Sequence, residues 1–226
     1  MEIKHKPEKN YALRALRSAR LGLAAMIVAT PSIAAQISIQ VTEPGGVAVA
    51  EAVVYVNVIT GTAPAKPKRE VSIEQVNKEF VPLISVMQTG TSVNFPNRDK
   101  VRHHVYSFSP ARTFEIKLYS GVPGKPIVFD KPGEVVLGCN IHDNMIAYAL
   151  VVDTSIFAKT DKRGSAVFDG LSAGEYEIHV WYPGMPASTL PAPRKLKLSA
   201  TDAPAITFTF NAKRQNPAGP RPNQEK

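Results

Sequence analysis

From Gln36 onward the apolar positions fall in short strand-like runs, several of them with a period of two: ISIQVT, AVVYVNV, TSVNF, HHVYSF, TFEIKLY, PIVFD, GEVVLG and MIAYALVV. That period puts alternate side chains on opposite faces of an extended strand. Turn signals separate the runs, among them Pro44-Gly45-Gly46, Pro96-Asn97, Ser109-Pro110, Pro123-Gly124 and Pro132-Gly133. No segment of eleven or more residues in this part of the chain has helical periodicity. The pattern predicts an all-β fold built as a sandwich. Residues 70–80, EVSIEQVNKEF, fit either one helical turn or a strand.

The amino terminus departs from this pattern. Lys4, Lys6, Lys9, Arg14, Arg17 and Arg20 precede the apolar run LGLAAMIVA, and small residues follow it. A basic region, a short apolar run and small residues predict a signal peptide over residues 1–35, cleaved after Ala34 or Ala35, with an uncleaved anchor as the alternative. Leu21 to Ala29 is about half of the roughly 20 residues a spanning helix needs. No later stretch is apolar enough to span, so export to the periplasm without stable membrane insertion is expected. Residues 1–35 also carry six Lys/Arg against two Asp/Glu, so four of the chain's eight net positive charges leave with them. The Pro-rich segment 212–226 holds Lys213, Arg214, Arg221 and Lys226 against Glu225 and reads as a disordered tail. The folded part is then close to neutral, which argues against nucleic-acid binding.

Cys139 is the only cysteine of a chain expected to be exported, so it forms no internal disulfide. Its neighbours read GCNIHDNM, which places Cys139, His142 and Met145 as C-x-x-H-x-x-M. A thiolate, an imidazole and a thioether suit copper, above all when a second imidazole completes a Cys-His-His plane with a distant axial Met. The second imidazole stands upstream in FPNRDKVRHHVYSF, as His103 or His104. Asp143 and Asn144 are alternative axial donors to Met145. His179 lies in a different run, EYEIHVWYP, and is expected on a strand facing solvent or an interface. One cysteine and no C-x-x-C argue against structural zinc. The chain also lacks the H-x-H pairs of multicopper enzymes. No enzyme activity is therefore expected.

The order histidine, long gap, then Cys, His and Met on one loop resembles the cupredoxins, the small blue-copper proteins such as plastocyanin, pseudoazurin and amicyanin. FPNRD, HHVYSFS and FDKPGEVVLGCNIHD further resemble plastocyanin-like proteins of methylamine utilisation. The resemblance implies a Greek-key β-sandwich over residues 36–153 and one type 1 copper ion held by His103, Cys139, His142 and Met145. His103 falls on the family's first ligand when His103-His104-Val105 is aligned with its H-N-V, with His104 the alternative. His104 then occupies the place of an Asn that in the family ties the two ligand loops together. Single electrons would pass through His142, with Ile141 and Ile146 in an apolar rim. Phe95, Phe108, Phe114 and Phe129 would pack around the ligand loops. Partners would be periplasmic redox proteins, such as an amine dehydrogenase or a c-type cytochrome.

Residues 154–211 form a second β segment. The turn at residues 160–164, the run SAVFDGL and the alternation YEIHVWY resemble the prealbumin-like modules found beside carboxypeptidases. The first strands of such a module resemble residues 39–58, so these strands are expected to be shared with the C-terminal sheet, the copper domain being inserted between. Trp181 is the expected exposed contact of this module. Copper storage or delivery, and a metal-free interaction module, are the alternative functions.

Overall fold

In the computed structural model, which describes residues 35–62 and 70–214, the short apolar runs become strands because each has at least one face to bury. Strands β1 (Ala35–Thr42) and β2 (Val53–Thr60) open the fold. Ten follow: β3 (Val71–Ser72), β4 (Glu74–Val76), β5 (Glu79–Val81), β6 (Ile84–Gln88), β7 (Thr91–Asn94), β8 (His103–Ser109), β9 (Arg112–Tyr119), β10 (Ile127–Phe129), β11 (Gly133–Gly138) and β12 (Ile146–Val152). Five close it: β13 (Phe157–Lys159), β14 (Ser165–Leu171), β15 (Gly174–Trp181), β16 (Arg194–Leu198) and β17 (Ala205–Thr209). The described residues contain no α-helix, and the fold is all-β. Residues 1–34 of the expected signal segment lie outside the described residues, as do residues 215–226 of the expected tail.

The middle strands form a two-sheet sandwich. One sheet has the order β6-β12-β11-β8-β9 and the other β10-β7-β3. Both contribute to a core that includes Val93, Phe95, Val105, Phe129, Val135 and Leu137. The stretch 70–80 contains no helical turn. Its residues form β3 and most of the β4–β5 hairpin, whose two-residue turn has Asn77 and Lys78 at φ 54° and 59°. Two adjacent positive φ values match a type I′ turn, which follows the right-handed twist of the flanking strands. Strand β6, absent from the expected runs, lies parallel to β12.

Strands β1 and β2 take their partners from the closing strands. β1 lies between β14 and β17, and β2 between β13 and β15, so none of their pairings is with β3–β12. These sheets enclose a second core that includes Ile37, Ile39, Val54, Phe168, Tyr176 and Ile178.

Strand β12 belongs to both cores. Ala147, Ala149 and Val151 face the first, while Tyr148, Leu150 and Val152 face the second. Double-sided burial explains why MIAYALVV is apolar throughout instead of alternating with polar residues. Trp181 is not the exposed contact expected of it: it is 8% exposed, and its Nε1–H donates to Glu134 Oε2 of β11 at 3.2 Å. β15 ends against the middle sandwich, which buries the indole and leaves its N–H needing a partner. Arg214, inside the segment expected as a tail, is also held: its Nε donates to Glu43 Oε1 at 2.7 Å and its guanidinium lies over the Tyr182 ring.

Candidate metal centre

Strand alternation decides what each histidine of the pair can reach. On β8, His103, Val105 and Ser107 are buried toward the first core, and His104, Tyr106 and Phe108 take the opposite face. His103 Nδ1 lies 3.9 Å from Cys139 Sγ. His104 instead places Nε2 2.8 Å from Glu115 Oε1 of β9, and its buried Nδ1 has no hydrogen-bond partner among the described residues. The His104 side chain therefore does not tie the two loops together as the Asn in the family would.

The other donors come from residues 139–145, which join β11 to β12. The segment closes on itself: Met145 N–H donates to His142 O at 2.9 Å, and Cys139 N–H to Met145 O at 3.2 Å. This turn brings the imidazole of His142 back over the thiol, with Nδ1 3.9 Å from Cys139 Sγ. The ligand atoms of His103, Cys139 and His142 all lie within 4.8 Å of one another, the one such group of His, Cys, Asp or Glu among the described residues. Asp143 is not part of it and, like Asn144, is exposed. Met145 is buried beside Cys139 in the first core.

Burial is graded across the group. His103 and Cys139 are 0% and 4% exposed, whereas His142 is half-buried. The two imidazole rings are 4.9 Å apart at an angle of 57°. Partial burial, then the neighbouring His103 and Lys78, lower the His142 pKa against the opposing pull of Asp99, which favours the neutral ring that ligates a metal. His179 stands apart from the centre, stacked on Tyr55 at 4.7 Å and paired with Glu177 at 3.0 Å.

The residues around the centre divide by face. Phe95 and Phe129 are buried, and Phe114 packs against both rings at 5.5 and 6.0 Å. Phe108 is 79% exposed and does not pack around the loops as expected, because its even position on β8 puts it outside. It continues an outer row with His104 and Tyr106, at centroid spacings of 5.5 and 5.1 Å. Tyr106 lies opposite Gly138, where an added Cβ would stand 2.8 Å from its ring. A groove of about 420 Å³ runs from Tyr106 and Phe108 past Val136 to Cys139, Met145 and Ile146. Ile141 is exposed on the same loop.

One contributor was not singled out from sequence. Asp99 Oδ2 lies 2.8 Å from His103 Nε2, on the side of the ring away from the thiol. Burial would raise this carboxyl's pKa, but the backbone N–H of Lys78, the His103 ring and the backbone N–H of Asn77 outweigh it and hold the group below its ordinary value. The available signal was an aspartate four residues before the first histidine, within FPNRD.

No protein-family model matches the chain. No curated protein matches it either. Among solved structures, part of the chain is similar to the purple cupredoxin from Nitrosopumilus maritimus, at 19% identity over 36% of this chain and 99% of that one, with TM-score 0.32. Amicyanin from Paracoccus versutus matches at 16% identity over 43% of this chain and 98% of that one, with TM-score 0.32. The copper-containing nitrite reductase from Thermus scotoductus matches at 25% identity with TM-score 0.35; the match covers 42% of this chain and only 25% of the reductase.

Proposed function

We propose that this chain is an exported type 1 copper protein that carries single electrons between periplasmic redox partners. The observation that carries the proposal is the convergence of one cysteine sulfur and two imidazoles from two separate parts of the chain. Both Nδ1 atoms stand 3.9 Å from Sγ, a span that suits donors sharing one ion at bond lengths of roughly 2.0–2.3 Å. The donor set favours copper, which His103, Cys139 and His142 would hold, with the thioether of Met145, buried in the same core as Cys139, as the further donor. Copper, when bound, would supply a one-electron couple.

The chain's own contribution is rigidity and access. Cys139 follows β11 directly, Met145 precedes β12 directly, and β12 is clamped between two cores, so the ligand loop has little freedom to rearrange. His103 and Cys139 are shielded from solvent, and half-buried His142 is the route outward. Ile141, Ile146 and exposed Phe108 offer an apolar surface for a small, fast-dissociating interface. A carrier is favoured over storage or delivery because two of the three clustered donors are closed off from exchange. The pairing of β1 and β2 with the closing strands supports reading residues 71–152 as a copper domain inserted into a prealbumin-like module.

The proposal is tested by cycling the copper-loaded protein between ascorbate and a one-electron oxidant. Full reversibility without metal loss is expected. Release of copper on reduction would favour delivery.

A further inference from the structure

Resting on the copper reading, we infer that Asp99 is a positioning residue for the centre: it fixes the ring of His103, keeps Nδ1 as the free donor atom, and places a carboxylate charge one ligand away from the metal. Asp99 Oδ2 accepts from His103 Nε2 at 2.8 Å, and a neutral imidazole that gives its Nε2 proton to an acceptor keeps its lone pair on Nδ1. Nδ1 is the atom that faces Cys139 Sγ. His103 is fully buried, so no water competes for this tautomer.

Asp99 is itself held at its carboxylate and at its backbone. The backbone N–H of Asn77 donates to Oδ1 at 2.7 Å and that of Lys78 to Oδ2 at 2.9 Å. Both come from the β4–β5 turn, whose positive φ values aim successive N–H groups at one anion. At the backbone, Asp99 N–H donates to Asn97 Oδ1 at 2.9 Å, and Asn97 Nδ2 in turn donates to the carbonyls of Val101 and Tyr119 at 2.8 and 3.0 Å. Arg98 pairs with Glu74 at 3.0 Å and ties the same loop to β4. Three N–H groups converge on the two oxygens, the arrangement of an ionised, acceptor-only carboxylate. The hairpin therefore reaches the centre through a relay of turn amides, Asp99 and His103.

A carboxylate bonded to a ligating histidine strengthens the histidine as a donor, and its negative charge favours the more highly charged cupric state. Asp99→Asn keeps the shape and removes the charge. Its reduction potential is expected to move upward, with copper binding about 10–100-fold weaker. Asp99→Ala removes the acceptor. In the apo protein at neutral pH, nitrogen NMR should find His103 with its proton on Nε2 in the wild type and distributed over both nitrogens in Asp99→Ala.

An unchanged potential in Asp99→Asn would refute the electrostatic role, and a persistent single tautomer in Asp99→Ala would refute the positioning role. A merely structural loss would move the unfolding midpoint but not the potential of the folded Asp99→Asn protein. Since the NMR arm uses no metal, a wild type that binds no copper would sink the copper reading while Asp99 is still judged on the tautomer.

Discussion

His103 and His104 are neighbours in sequence that face opposite sides of one strand: His103 Nδ1 points to the Cys139 sulfur at 3.9 Å, and His104 Nε2 to Glu115 at 2.8 Å. A strand cannot bring both imidazoles to one ion. His103→Ala should abolish the thiolate-to-copper absorption of the loaded protein, and His104→Ala should keep it, at a stability cost of about 1 kcal/mol for a partly exposed pair. Visible spectra of the two variants at equal copper content decide the matter. Retention of the band in His103→Ala would overturn the assignment.

Gly138 is a contact requirement of the centre. A Cβ there would meet the Tyr106 ring at 2.8 Å, one residue before Cys139. Gly138→Ala should destabilise the protein by about 1–3 kcal/mol through overpacking. Tyr106→Ala should relieve most of that strain, so urea unfolding of both singles and the double variant should be clearly non-additive.

Tyr119 ties the start of the β7–β8 connection, which leads to His103, to β4. Its hydroxyl donates to Phe95 O and accepts from Gln75 Nε2, both at 2.6 Å. Burial, reinforced by nearby Cys139 and opposed by the Gln75 hydrogen bond, pushes its pKa up to about 12. The folded state thus holds this proton longer than the unfolded state does. The resulting stability is fully present below the ordinary tyrosine range near 10 and is lost as pH rises toward about 12. An absorbance titration of tyrosinate should lose its last step in Tyr119→Phe, which should also cost about 1–3 kcal/mol by leaving buried partners unpaired.

β12 couples the two cores through Leu150 on one side and Ala149 on the other. Trp181, the only tryptophan, sits in the closing sheets and bonds to Glu134 in the middle sandwich. Its fluorescence and the copper absorption should therefore be lost in one transition on heating. Leu150→Ala should lower both midpoints together, at about 2–5 kcal/mol. Separate transitions would mean that the cores are independent.

These couplings show where sequence reading stops. The C-x-x-H-x-x-M segment is legible because all three residues sit on one connection between two strand-like runs, so no tertiary knowledge is needed to bring them together. The choice between His103 and His104 was carried only by a resemblance, since a period of two says that they face apart but not which face is inside. The outward placement of Phe108 rests on the same choice of face. The hairpin at residues 74–81 was ambiguous because Asn77-Lys78 lacks the glycine that usually marks a type I′ turn. Asp99 could not be weighed without knowing that this hairpin folds over the loop. Trp181 looked free because nothing local reveals that Glu134, in another run, meets its N–H.

The central claim is tested most directly by titrating the purified mature protein with cupric ion and recording the visible spectrum, with Cys139→Ser alongside. One equivalent of copper should produce an intense thiolate-to-copper band in the wild type, bleached by ascorbate and restored by reoxidation, and no such band in Cys139→Ser. A colourless wild-type protein, whether it binds copper fully or not at all, would contradict the type 1 reading.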